Sequence, residues 1–223
     1  MSSLEFNTEA ERPQGVHLTL HLINGRRLVF EQIDPHKAEV LLEHLRPERI
    51  FSQKNLLIAN HASVTVIPSR DVERIDLRSP LVKSWHGGSL TRATQEVDVE
   101  QYARLLSRPY TPPNPDARRP DPPREIGICV ELRSGEQLTL ISHPLPGDAV
   151  GAGRDPMLTP DDAAVFLQHL SERPVVIGAL QDGHGVFLLN PLNAMRFEIS
   201  PPPPVHLLAT VWSMEPVEPV LIK

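Results

Sequence analysis

Ten histidines and one cysteine are the residues of this chain whose types first suggest chemistry. His17 and His21 lie four apart in the alternating segment Val16-His17-Leu18-Thr19-Leu20-His21-Leu22, so on a strand both project from one face. At roughly 3.3 Å of rise per residue their backbones stand about 13 Å apart, too far to chelate one ion without further ligands. No H-E-x-x-H segment and no Cys/His cluster supplies such ligands. Neither a metal nor another cofactor is therefore expected. His44 and His169 fall in the last turn of two expected helices, where an imidazolium complements the helix dipole. Cys129, between Ile128 and Val130, is expected to fill a sheet face. Being alone, it excludes an internal disulfide.

Three segments resemble parts of known sites. Ser84-Trp85-His86-Gly87-Gly88-Ser89 resembles the His-Gly-Gly oxyanion segment of some esterases, but the companion G-x-S-x-G is absent. Arg104-Leu105-Leu106-Ser107-Arg108 resembles the R-x-x-x-R half of a PilZ cyclic-dinucleotide site, without its [DN]-x-S-x-x-G half downstream. Gly147 to Gly153 has the glycine density of a phosphate loop. It lacks the G-K-[ST] ending, and Asp148 and Asp155 would repel a phosphate. No segment assembles a nucleophile, a base and a group to orient them, so an enzyme is not the favoured reading.

The elements that would carry any site are repeated. Asp34-Pro35-His36-Lys37-Ala38-Glu39-Val40-Leu41-Leu42-Glu43-His44-Leu45 matches Thr159 to Leu170 at six of twelve positions. Each copy opens with an N-cap residue and Pro at N1, then sets an apolar stripe at helical spacing. The stripes are Ala38, Leu41, Leu42, Leu45 and Ala163, Phe166, Leu167, Leu170. Before the helices, strand–turn–strand patterns at Val16–Phe30 and Ile126–Ile141 align at a constant offset of 110, each turning at a Gly. After them, segments at 55–59, 63–67 and 72–77 answer segments at 174–178, 185–189 and 195–199. The expected fold is α+β, a tandem duplication of a small ββα-plus-three-strand unit. Each unit would form a bent sheet or a partly open SH3-like barrel with one covering helix. Val66 to Val72 resembles the strand–turn–strand ending of SH3-like barrels over fewer than ten residues. The expected boundaries are a lead-in at 1–13, repeat 1 at 14–108, a linker at 109–123, and repeat 2 with an extended tail at 124–223. Within repeat 1, Asp98 caps an expected helix through Leu106, with Val99, Tyr102, Leu105 and Leu106 on one face.

Charge and hydropathy narrow the partners. Residues 109–223 hold 8 Lys/Arg against 14 Asp/Glu and so carry the whole net charge of −6. That argues against a phosphate-backbone partner, which needs clustered cations. No apolar run reaches the roughly 20 residues that span a bilayer, so no membrane insertion is expected. The N-terminal residues lack the apolar core of a signal peptide, and the expected location is cytoplasmic.

The function expected from these features is that of a bacterial, non-enzymatic protein–protein interaction module: an adaptor, a scaffold or a subunit of a larger assembly. Its partner is a protein, and homodimerisation is open to it. The expected contact residues are Trp85 and Trp212, the Arg74 and Arg78 pair on the outer face of a strand, and the apolar tail Val220, Leu221 and Ile222. The alternative is a small-molecule or nucleotide sensor, with the ligand between the repeats or under the 144–158 insertion. Seven prolines fall within residues 109–123, the pattern of a semi-rigid connector. Limited proteolysis should cut there before it cuts within 16–77; early cleavage inside 16–77 with 109–123 intact would refute the boundary.

Overall fold

The structure, a computed structural model, describes residues 15–45, 47–59, 62–79, 94–107, 125–143 and 174–200. The expected helix at 159–170, the linker at 109–123 and the insertion at 144–158 lie outside them. Among the described residues the fold is α+β and contains no closed barrel.

Strand β1 (Val16–Leu22) turns through Asn24-Gly25 into β2 (Arg27–Gln32). Gly25 takes φ +77°, a left-handed conformation that side-chain-bearing residues adopt at a cost. Helix α1 (Pro35–His44) follows, its start set by Asp34, whose carboxylate accepts from the backbone N–H groups of His36 and Lys37 at 3.0 and 3.2 Å. The helix ends at His44, with Leu45 extended two residues before Pro47 and its N–H capping the Leu41 carbonyl. The buried stripe is also narrower than expected. Ala38 and Leu42 pack on Val16, Leu77 and Val186, whereas Leu41 is 40 % exposed.

A four-residue helix, α2 (Pro47–Ile50), leads to β3 (Asn55–Ala59) and β4 (Val64–Pro68), which pair only with each other in a two-stranded sheet. Then come β5 (Val72–Arg78), β6 (Thr94–Glu96) and α3 (Val99–Leu106). Asp98 caps α3 as expected, accepting from Gln101 N–H at 2.7 Å. Of its apolar residues, Tyr102 is buried, while Val99 and Leu106 face solvent. The remaining strands are β7 (Ile126–Leu132), β8 (Gln137–Ser142), β9 (Val176–Ala179), β10 (Val186–Leu189) and β11 (Ala194–Ser200).

Nine strands form one sheet in the order β11-β7-β8-β6-β9-β10-β5-β1-β2. All its pairings are antiparallel except β6 with β9. Thus the expected pair of bent sheets or partly open SH3-like barrels is replaced by one shared open sheet, in which β10 from the second half lies against β5 from the first. A common arrangement stands at both ends. In each, a hairpin is flanked by a later strand with a bulge at the equivalent place: Leu22 pairs Val72 and His21 pairs Arg74, skipping Glu73, while Leu132 pairs Ala194 and Glu131 pairs Arg196, skipping Met195.

The hydrophobic cores lie on opposite faces of β10. Leu188 joins Leu20, Val72, Ile75 and Ile67 in one, under β3 and β4. Phe187 and Leu189 join Ile128, Val130, Leu138 and Leu140 in the other. Gly178 stands opposite Phe187, and a Cβ there would come within 2.4 Å of the Phe187 ring, so the missing side chain makes room for it.

Leu42 is 6 % exposed, so Leu42→Ala should cost about 2–5 kcal/mol. Leu41→Ala, removing a half-exposed side chain, should cost well under that. Urea midpoints of the two variants decide whether the helix is anchored by this narrowed stripe.

Candidate functional site

Strand β5 reads as one-sided, with Ile75 and Leu77 apolar and Arg74, Asp76 and Arg78 polar between them. On an edge or a solvated sheet face that alternation puts the charges in water. Here β5 lies between β1 and β10, and six of its seven residues are buried, including Arg74 at 4 % and Asp76 at 8 % exposure. The outer strand face expected at Arg74 is a buried ion network at the junction of the two halves.

Arg74 is its centre. One guanidinium edge meets Glu96 of β6 in a bidentate pair, NH1 to Oε1 at 2.9 Å and NH2 to Oε2 at 2.7 Å. Its Nε donates to Asp76 Oδ1, two residues along the same strand. The face of the guanidinium lies over the Phe187 ring, 5.4 Å from its centroid. Burial works against the charge of Arg74, but its bonds to Glu96 and Asp76 outweigh that and hold it more firmly protonated.

His21 extends the network to the second hairpin. It stands beside Arg74 in the β1–β5 register, and its Nε2 lies 3.0 Å from Asp76 Oδ2. Its Nδ1 faces Glu136 Oε2 at 3.4 Å, an electrostatic contact whose alignment falls short of a hydrogen bond. Both ring nitrogens therefore look at carboxylates, an arrangement satisfied only when both carry protons. Burial lowers the imidazole pKa, but Asp76 and Glu136 raise it by more, and the net shift is upward from 6.5. In return His21 lowers the pKa of Glu136, and with Arg74 it lowers that of Asp76 against the opposing effect of burial.

Around this centre, Arg27 approaches Glu136 at 3.4 Å and Arg78 binds Asp182 at 2.9 Å. Each contact joins the first half of the chain to the second. Glu73, the bulge residue, is 1 % exposed and accepts from the backbone N–H of Ser134 at 3.2 Å, which ties the β7–β8 turn to β5. Asn190 and Asn193 donate side-chain N–H groups to the Val72 carbonyl at 3.1 and 2.8 Å, holding the β10–β11 connection against the same strand.

A cleft of about 480 Å³ opens over this network. Among the described residues that line it there is no Ser, Thr or Cys, and neither nitrogen of His21 is free to act as a base. Cys129 lies elsewhere, packed beside Tyr102, with its thiol pKa raised by burial and by Glu198. His17 does not join His21. It faces Glu31 at 3.2 Å, so the two histidines take separate carboxylate partners. Among the described residues no group of three or more His, Cys, Asp or Glu is arranged to hold a metal ion.

Of the expected contact residues, Arg74 is buried in the network and Arg78 is half-exposed beside it. Trp85, Trp212, Val220, Leu221 and Ile222 lie outside the described residues. His21 was legible only as one of a histidine pair. Glu96 and Glu136 carried no signal, since one sits in a three-residue strand and the other just after a turn.

Truncating Arg74 leaves Glu96 without its cation and Asp76 with His21 alone, so Arg74→Ala should destabilise by about 3–5 kcal/mol. The pH dependence has two limbs. The contribution of His21 is fully present below pH 6.5 and is lost as pH rises through its raised pKa. The contributions of Asp76 and Glu136 are present above their ordinary values of 3.8 and 4.5 and are lost as pH falls through their lowered ones. Stability should therefore peak between about pH 4.5 and 6.5, and His21→Asn should flatten the alkaline limb. An unchanged alkaline limb in that variant would show that His21 is not the titrating group.

No known protein family, characterised protein or solved structure matches the chain, so its function is argued from this geometry.

Proposed function

We propose that the protein is a non-enzymatic interaction module, an adaptor or scaffold subunit, whose two halves arose by tandem duplication and are locked together by the ion network. The duplication reading is supported by the shared hairpin geometry and by the matching bulges at Glu73 and Met195. The observation that carries the interaction reading is the outer face of the β3–β4 sheet. Its inner residues Leu56, Ile58 and Ile67 pack on the first core. Its outer residues Leu57, Val64 and Val66 are 68, 60 and 56 % exposed. Leu57 stands opposite Val66, and Ala59 opposite Val64, so the outer face is a small aliphatic platform without a charge. A platform of this kind fits a protein partner that presents a complementary aliphatic surface.

The network is less suited to a binding role, because each of its buried cations already has a carboxylate. The second reading, a sensor of a small polar molecule, draws its support from the cleft between the halves, where Arg27, Arg78 and Asp182 remain partly exposed.

Leu57→Asp should leave the urea midpoint within about 0.5 kcal/mol of the parent, as surface substitutions do. It should abolish capture of the partner that the parent retains from its host, identified by mass spectrometry. Undiminished capture by Leu57→Asp would remove the platform from the interface. A thermal shift on adding small polar metabolites, lost in Arg78→Ala, would favour the sensor.

A further inference from the structure

Strand β2 ends the nine-stranded sheet, and among the described residues no strand lies on its outer side. Which of its backbone groups point outward follows from the hairpin. Leu22 N–H donates to the Arg26 carbonyl at 2.9 Å, which makes Leu22 and Arg26 a hydrogen-bonded pair. Antiparallel pairs alternate, so Leu20–Leu28, Leu18–Phe30 and Val16–Gln32 are the bonded pairs that follow. The N–H and C=O groups of Arg27, Val29 and Glu31 therefore face away from β1. These three side chains also share one face of the strand.

From this pattern we infer that β2 pairs with β2 of a second copy of this chain, antiparallel and about a two-fold axis at Val29. In that register Val29 opposes Val29, and Arg27 opposes Glu31 at both ends. The outward backbone groups of all three residues meet as bonded pairs. Leu28 opposes Phe30 on the other face and extends the first core across the axis. A shift of one residue would set outward groups against inward ones and is excluded by the alternation. Parallel pairing in register would set Arg27 against Arg27 and Glu31 against Glu31, so the charges select the antiparallel form.

The side chains are available. Arg27 and Glu31 keep 60 and 50 % of their exposure despite their contacts with Glu136 and His17, and Val29 is 68 % exposed at the centre. An edge strand guarded against association carries one repelling charge type, a Pro or an inward charge. β2 carries instead one charge of each sign, placed symmetrically about an aliphatic residue. The edge is separate from the β3–β4 platform, and its self-pairing holds whether or not the platform has a partner.

The test is light scattering on the full chain after gel filtration. The parent should have a mass of twice 24.9 kDa. Val29→Lys should give the single-chain mass with an unchanged far-UV dichroism spectrum. Arg27→Glu and Glu31→Arg, each alone, set like charges opposite each other and should weaken association at least about tenfold. Mixed one to one, the two variants make both cross-strand contacts opposite in sign and should recover the double mass as a heterodimer. A parent that stays single at its highest soluble concentration overturns the proposal. So does a double mass that survives both Val29→Lys and Glu31→Arg, or a mixture that fails to associate although both variants fold and are each single.

Discussion

A guanidinium out of water sets the terms for the rest of this structure. Taking an ion such as that of Arg74 into a protein interior costs several kcal/mol, and that cost is met only by close, well-directed partners. Asp76 comes from the same strand, but Glu96 comes from β6, three strands away in the sheet order. The sheet must therefore curve enough to bring β6 back over β5. The second core, in which Ile128 and Leu140 reach Phe187 and Leu189 on the same side, shows the same curvature in apolar contacts. Curvature and ion network demand one another: without it Glu96 does not reach Arg74, and without Glu96 the buried guanidinium loses its bidentate partner.

The same network joins what the chain order separates. His21 and Arg27 belong to the first hairpin and Glu136 to the second, while Arg78 meets Asp182 in the turn between β9 and β10. Backbone pairing of β5 with β10 brings the halves together without specifying charge. The ion contacts add a requirement that only one juxtaposition of side chains meets. Because every buried cation is matched, the network stabilises one arrangement of the two halves. Its titration then couples the junction of the halves to pH through His21.

What stays exposed lies at the margins. The β3–β4 hairpin stays outside the large sheet and shows solvent an aliphatic face, and β2 ends the sheet with its outward groups unpaired among the described residues. The β9–β10 hairpin is instead inserted beside β5 and enclosed at Val186–Leu189. The two hairpins, β3–β4 and β9–β10, thus have opposite fates. The difference in composition is visible: Val186-Phe187-Leu188-Leu189 is apolar on both faces, whereas β4 has Thr65 on its inner face.

Local elements were legible along the chain because their causes are local. The Asn24-Gly25, Ser134-Gly135 and Asp182-Gly183 turns, the Asp34 and Asp98 caps, and the strands over 16–22, 55–59 and 72–78 all depend on neighbours within a few residues. The α+β class follows from them. The site was not legible, for a reason that β5 makes plain. An alternating strand with Arg74 and Asp76 on one face is the pattern of a solvated surface, and in isolation it would be one. Burial became tolerable only when β6 and the β7–β8 turn brought Glu96 and Glu136 from 22 and 62 residues further along the chain. Sequence alone determined which residues would turn, cap and extend. Tertiary structure decided which of its charges face water, since the energy of a charge depends on the partners that surround it rather than on its neighbours along the chain.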